Sequence, residues 1–214
     1  MSRRLRTLAA LFALSLVVCG TAYAASLNVS SSKLTAWHAS AGCTPGTLTL
    51  NPNADTYIDE DAGGSNFGTA TTVKVRGSLL NVLGAALGSK RQTLARFNLP
   101  SLELCSLTSA TLRLHTASSA AGRTLEALRV TSAWTETGVT WNSAPTTTTT
   151  GQANTSSGSG YRAWTVTTQV SSMYAGTNNG FLIRDSGGAL VAPENTFESR
   201  ESATNKPELV LVYG

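Results

Sequence analysis

The stretch ATLRLHT, residues 110–116, shows most clearly the pattern on which the fold prediction depends. Leu112 and Leu114 alternate with Arg113 and His115. A period of two is typical of a β-strand that buries one face and exposes the other. We therefore expect the two leucines to point into a core, and the arginine and histidine to point outward.

The same alternation recurs along the chain in short runs separated by Gly, Asn, Ser or Pro. Helix signals are weak, and TQVSSMYAG (168–176) has room for one turn. Many short strands with long polar loops predict an all-β fold, an antiparallel β-sandwich of jelly-roll type. The other runs are DTYI (55–58), TTVKVR (71–76), TLARFNL (93–99), LEALRVT (125–131), WTVTTQV (164–170), FLIRD (181–185) and ELVLVY (208–213).

Residues 1–24 have the features of a secretory signal peptide. Arginines 3, 4 and 6 precede the apolar run 8–18, and Ala22-Tyr23-Ala24 is a small-x-small cleavage site. Lipid attachment at Cys19 is the alternative, although Val18 is not the small residue usually found before such a cysteine. We expect a secreted, extracellular protein with a lead-in at 25–52, either an edge strand or a tether, and one domain at 53–214.

The net charge and the amino-acid composition limit the kinds of partner that the protein can bind. The formal charge is +4, and the signal peptide carries three arginines and no acid, so 4 − 3 leaves the mature chain near +1. Such a balance argues against nucleic acid. No later segment is apolar enough to cross a membrane, and we expect a monomer. Cys43 and Cys105 remain after cleavage, and we expect them to form a disulfide in an oxidising compartment, with two buried free thiols as the alternative.

The acidic stretch DEDAGGSNFG (59–68) raises the question of calcium. Asp59, Asp61 and Gly64 match positions 1, 3 and 6 of an EF-hand loop, but position 12 is Ala70 instead of glutamate. An EF-hand is therefore excluded. A structural calcium held by Asp55, Asp59 and Asp61 stays possible, and a solvated acidic turn is the alternative.

No catalytic constellation emerges from the sequence. His38 lies in the lead-in and His115 on a strand, and no HExxH, GxSxG or paired CxxC motif is present. Glycoside cleavage needs two carboxyls at a defined separation, which the spacing does not show. We expect a protein that is not an enzyme.

Six stretches in order resemble one known family. They are ADTYID…NFGTATTVKV, RQTLARFNLPSL, ATLRLH, WTETGVTWNSAP, NNGFLIRD and FESRES…PELVLVY, between Asn53 and Tyr213. Together they resemble the DNRLRE (disaggregatase-related) domain, also grouped as carbohydrate-binding module family 96. Asn98 stands where the family often has aspartate, and Thr165 replaces the aspartate of a recurrent DVT.

The resemblance implies a jelly-roll sandwich on secreted proteins, often attached to polysaccharide-active enzymes. It also implies binding of acidic polysaccharides through basic residues in some members. The outward basic positions of the predicted strands are the candidate carbohydrate-binding residues, because the planar fork of arginine binds carboxylates. These are Lys74, Arg76, Arg96, Arg113 and Arg129. The alternative is a structural cell-surface or matrix domain whose charges only keep strands soluble.

Aromatic residues offer a second kind of sugar site. Trp134 and Trp141 flank a Thr-Gly turn and lead into the run TTTTTG. They are either sugar-stacking platforms or core residues that anchor the loop, and each indole buries on the order of 150–250 Å² in a core. Tyr161 and Trp164 are comparable platform candidates.

Overall fold

A computed structural model describes residues 43–80, 89–102, 104–119, 122–154, 158–190 and 193–214. The predicted signal peptide, Cys19 and His38 lie outside the described residues, so those predictions stay predictions. Pro45–Gly214 forms one compact unit. No helix within the described ranges has the length and apolarity needed to span a membrane.

The described chain is mainly antiparallel strand with one helix, which confirms the predicted all-β sandwich class. The strands are β1 (Gly46–Leu50), β2 (Ala54–Asp59), β3 (Thr72–Arg76), β4 (Ser78–Leu79), β5 (Arg91–Arg96), β6 (Leu107–Ser118), β7 (Leu125–Arg129), β8 (Gln152–Asn154), β9 (Gly160–Thr165), β10 (Phe181–Asp185), β11 (Gly188–Ala189), β12 (Glu194–Glu198) and β13 (Glu208–Tyr213). The helix is α1 (Thr167–Ala175).

The long strands form one curled sheet in the order β1-β13-β6-β12-β3-β5-β10-β7-β8. β9 also pairs with β6, and β2 with β5, so both central strands have additional neighbours and the sheet folds over on itself. β4 and β11 form a short parallel pair. The edge strand β1 lies within the segment 25–52, and its five residues pair with β13.

The main core lies inside this curl. Leu112 and Leu114 of β6 are fully buried, as the alternation predicts, and pack in the same cluster as Phe97, Trp164 and Phe197. Burial of a large apolar side chain contributes about 1.5–3 kcal/mol. The burial of Leu112 and Leu114, which follows from the alternation on β6, therefore contributes substantially to the stability of the fold.

A second, smaller core covers the opposite face of β5, β10 and β7. Leu94, Leu182 and Leu128 lie side by side on that face, and Trp134 and Val139 pack over them from the loop after β7. The Thr131 amide donates to the Thr146 carbonyl at 2.8 Å, so the two ends of this loop lie next to each other. This part of the sheet is thus covered on both faces.

Because both faces of β7 are covered, the inward and outward positions predicted for this strand have to be reassigned. The period-two alternation of LEALRVT (125–131) predicts that Leu128 and Val130 point inward and Arg129 outward. Leu128 and Val130 are buried, but in the second core beneath the loop. Leu125 and Ala127 belong to the main core, and Arg129 shares their face. The outward assignment of Arg129 was therefore wrong.

The segment WTVTTQV was predicted as a strand, and most of it is not. β9 ends at Thr165, and α1 follows over two and a half turns in place of the single turn expected. Val170 and Met173 of α1 are buried in the main core. Tertiary packing thus overrides the strand preference of threonine and valine.

Cys43 and Cys105 are both disulfide-bonded, which confirms the predicted bond.

Candidate functional site

Three of the five basic candidates are engaged by carboxylates of the same chain. Lys74 lies 3.7 Å from Glu194, and Arg76 lies 2.9 Å from Asp61. Arg113 forms an ion pair with Glu208, its partner across the sheet on β13. The charges of these three residues are therefore compensated within the protein.

Two of the three carboxylates expected to share calcium belong to the same ion-pair network. The Asp59 carboxylate accepts from Arg91 Nε at 2.7 Å, and Asp61 pairs with Arg76. Asp59 also accepts from the Asp61 amide, which begins a 3-10 turn at Glu60. Among the described residues, Asp55, Asp59 and Asp61 do not come together as a possible set of metal ligands.

Arg96 and Arg129 have no carboxylate partner among the described residues, but they lie on opposite faces. Arg129 is paired across the sheet with Phe181, and Phe181 with Ala95. Residues paired in this way share a face, so Arg96, the neighbour of Ala95, faces the other side. The five basic residues therefore do not form one stripe.

On its own face, Arg96 is held by the loop after β7. Its guanidinium donates to the Trp134 carbonyl at 3.2 Å and lies 5.3 Å from the centre of the indole. Such a cation–π contact uses the ring face that a ligand would need. Arg96 therefore has a structural role in fixing the loop.

Arg129 lines an open groove of about 240 Å³ between the end of β7, the start of β8 and α1, which we name the α1 groove. None of the described residues that line it is acidic. Most of its walls carry hydroxyl or amide groups, which are the groups that hydrogen-bond sugars. The lining residues are Arg129, Thr148, Thr150, Gly151, Gln152, Thr168, Gln169 and Ser172.

Sequence reasoning identified Arg129 but missed the rest of this groove. The residues Thr168, Gln169 and Ser172 were assigned to a strand or to a single turn, so no shared wall was expected. The one signal was the run TTTTTG, which contributes Thr148 and Thr150 to the groove, and the Thr148 hydroxyl accepts from the Arg129 backbone amide at 3.2 Å.

Of the tryptophans proposed either as sugar platforms or as core residues, Trp134 and Trp164 are buried and are not exposed platforms. Trp134 is 6% exposed, and its Nε1 donates to the Asn179 carbonyl at 2.8 Å. Trp164 is 1% exposed and donates to the Leu125 carbonyl at 3.0 Å. Trp141 is partly buried against the second core. Burial with a satisfied indole N–H is typical of an anchoring residue.

Tyr161 is the platform candidate that stays accessible, at 38% exposure. His115 stands edge-on to its ring with centroids 5.1 Å apart, and the Arg113 guanidinium lies 5.1 Å from the ring centre. The phenol donates to the Lys206 carbonyl at 3.1 Å. Arg113 and His115 thus lie on the outer face of β6, as predicted, beside an aromatic ring held in a fixed orientation.

A carboxylate cluster that the sequence did not reveal forms around Asp55. Asp55, Glu136 and Glu201 each place an oxygen within 4.8 Å of the others. The Asp55 amide donates to Glu136 at 2.8 Å, and the Arg200 amide donates to Asp55 at 2.8 Å. The cluster joins β2, the loop after β7 and the turn after β12.

The negative charge of this cluster is reduced by the Arg200 guanidinium and by a proton on Asp55. The Arg200 guanidinium donates to Glu136 at 2.6 Å and lies near Glu201. Burial, opposed by the hydrogen bond from the Arg200 amide and assisted by the Glu201 and Glu136 charges, raises the pKa of Asp55 from 3.8 to about 8. Asp55 is therefore largely protonated at neutral pH. Structural calcium at Asp55, Asp59 and Asp61 stays a prediction.

Comparison with known proteins adds one match. Residues 46–213 match the family model of carbohydrate-binding module family 96. No match was found among the curated proteins. The matched range begins at β1 and ends at the last residue of β13, so it spans the whole described sheet.

Proposed function

Because the chain belongs to carbohydrate-binding module family 96, we propose that it is a secreted, non-catalytic module that binds an acidic polysaccharide. The observation that carries the acidic specificity is Arg129. Its guanidinium lines an open polar groove, while Lys74, Arg76 and Arg113 are compensated by carboxylates.

The chemistry of the groove favours a carboxylate-bearing sugar. A guanidinium presents parallel N–H donors that match the two oxygens of a carboxylate, and a hydrogen bond to a charged group is stronger than a neutral one. The hydroxyls of Thr150 and Thr168 in the same walls suit the sugar hydroxyls around that carboxylate. Arg129 thus supplies specificity for charge, and the threonines supply general affinity for sugars.

Two further points support the non-catalytic and extracellular parts of the proposal. Families of carbohydrate-binding modules are generally non-catalytic. A disulfide persists in oxidising compartments, which fits export by the predicted signal peptide.

The proposal is tested by affinity electrophoresis in gels that contain pectate, alginate or a neutral β-glucan. We expect retardation in the acidic gels only, and weaker retardation at higher salt, because accessible ion pairs are screened over about 8–10 Å. Arg129→Ala should weaken binding about 10- to 100-fold, the loss expected for a charged hydrogen bond of about 1.5–3 kcal/mol.

Arg113→Ala is the matched control, since it removes the same side chain at a position outside the groove. It should retain binding to acidic polymers. Retardation that is equal in neutral and acidic gels, and is lost on Tyr161→Ala, would place the site on the outer face of β6 and β9. An absence of retardation in every gel would favour the structural surface domain.

A further inference from the structure

We propose that the α1 groove reads the carboxylate of a single uronate unit, held between Arg129 and the first turn of α1. The inference rests on the proposed function and goes one step beyond it. A stripe of cations would require a charged polymer, whereas a groove of this kind recognises one sugar unit, so a free monosaccharide uronate should bind.

The first turn of α1 supplies a second source of positive potential. The helix has nine residues, and its N-cap, Val166, makes no side-chain cap hydrogen bond. The first intrahelical bond is from the Val170 amide to the Val166 carbonyl. The amides of residues 167–169 have no acceptor among the described residues. Uncapped amides at a helix N-terminus carry partial positive charge and favour an anion.

Gln169 provides an independent indication of a ligand. It is 9% exposed and lines the groove, and its Oε1 is buried without a hydrogen-bond partner among the described residues. Its Nε2 reaches the Ala127 carbonyl only at 3.5 Å. A buried polar atom without a partner is unfavourable and rare. If the Gln169 side chain turns toward the groove when a ligand binds, a sugar hydroxyl can donate to Oε1 and relieve this cost.

The size of the groove sets the number of units it accepts. Pockets for drug-sized ligands have volumes of roughly 300–1,000 Å³, and the α1 groove has about 240 Å³. It therefore suits one sugar ring. With a single guanidinium among its described lining residues, it takes one carboxylate, and Thr150, Thr168 and Ser172 line the space around it.

The test is a titration of the ¹⁵N-labelled protein with sodium galacturonate, galactose and sodium acetate, followed by amide NMR shifts. Galacturonate should shift the amides of Thr168 and Gln169 to saturation. Galactose lacks the carboxylate, and acetate lacks the ring, so each should bind at least about tenfold more weakly. Shifts centred on His115 and Tyr161 instead would overturn the inference.

Two variants separate a ligand-binding role from a structural one. Arg129→Gln should weaken galacturonate binding about tenfold or more, while Arg113→Gln leaves it unchanged. Gln169→Met keeps the side-chain length and removes the orphaned acceptor. It should weaken binding while leaving the melting temperature equal or higher. A lower melting temperature with unchanged binding would show that Gln169 is only structural.

Failure of this inference can be told apart from failure of the proposed function. If pectate still retards the wild-type protein but Arg129→Gln binds galacturonate and pectate as the wild type does, the groove is wrong and acidic polysaccharide binding stands. If neither pectate nor galacturonate binds the wild type, both proposals fail.

Discussion

Replacing Trp134 with alanine should lower the free energy of unfolding by about 3–5 kcal/mol, the usual cost of deleting a buried aromatic side chain. Trp134 packs over Leu128 and Val130 and anchors the loop after β7 to the sheet. Its loss also leaves the Asn179 carbonyl without its indole donor. Urea unfolding monitored by circular dichroism measures the change.

Trp141→Ala is the comparison, because Trp141 is only partly buried against the same cluster. Its cost should be clearly smaller than that of Trp134→Ala. If Trp134→Ala left stability unchanged and abolished sugar binding, the indole would be a ligand platform and the description of the second core would be wrong.

Asp55→Asn should raise stability at pH 8 and reduce its pH dependence. The folded-state pKa of about 8 lies above the ordinary value of 3.8, so the folded protein holds this proton more tightly than the unfolded chain. The resulting stabilisation is complete below about pH 4 and is lost as the pH rises to about 8. Asparagine has no proton to lose, and its oxygen can still accept from the Arg200 amide.

Thermal melts of both proteins between pH 4 and pH 8 measure this effect. Asp185→Asn is a control with the opposite expected sign, because Asp185 is a buried carboxylate bound by Arg123 at 2.7 Å. Breaking that pair leaves the partly buried Arg123 guanidinium uncompensated and should destabilise the protein at pH 8. Equal pH dependence in the wild type and Asp55→Asn would contradict the account of the cluster.

The strands were largely predictable because a period of two is a local property. On β6 one face is buried, so the alternation gave both the strand and its orientation. On β7 both faces are covered, and alternation cannot tell which of two buried faces belongs to the main core. The sequence did not predict α1, because the helix is stabilised by contacts of Val170 and Met173 with distant strands and not by local helix preference.

The candidate site was less predictable because it depends on register and on long-range contacts. Arg113 is neutralised by Glu208 only because β6 and β13 are neighbours in that register. Asp55 lies close to Glu136 and Glu201 in the structure but far from both in the sequence, so the cluster could not be read from local patterns. Both glutamates nevertheless lie in stretches that carry the family resemblance. Arg129 was a candidate by residue type, but the groove around it depends on α1, which the sequence did not predict.

The central claim is that the protein binds a polysaccharide through its carboxylates. Calorimetric titration with polygalacturonate, and with the same polymer after full methyl esterification, tests it directly, since the two ligands share a backbone and differ in charge. The account predicts that binding to polygalacturonate is weakened by salt, is at least about tenfold weaker in Arg129→Gln, and is lost on esterification. Equal binding of both polymers by the wild-type protein would contradict it.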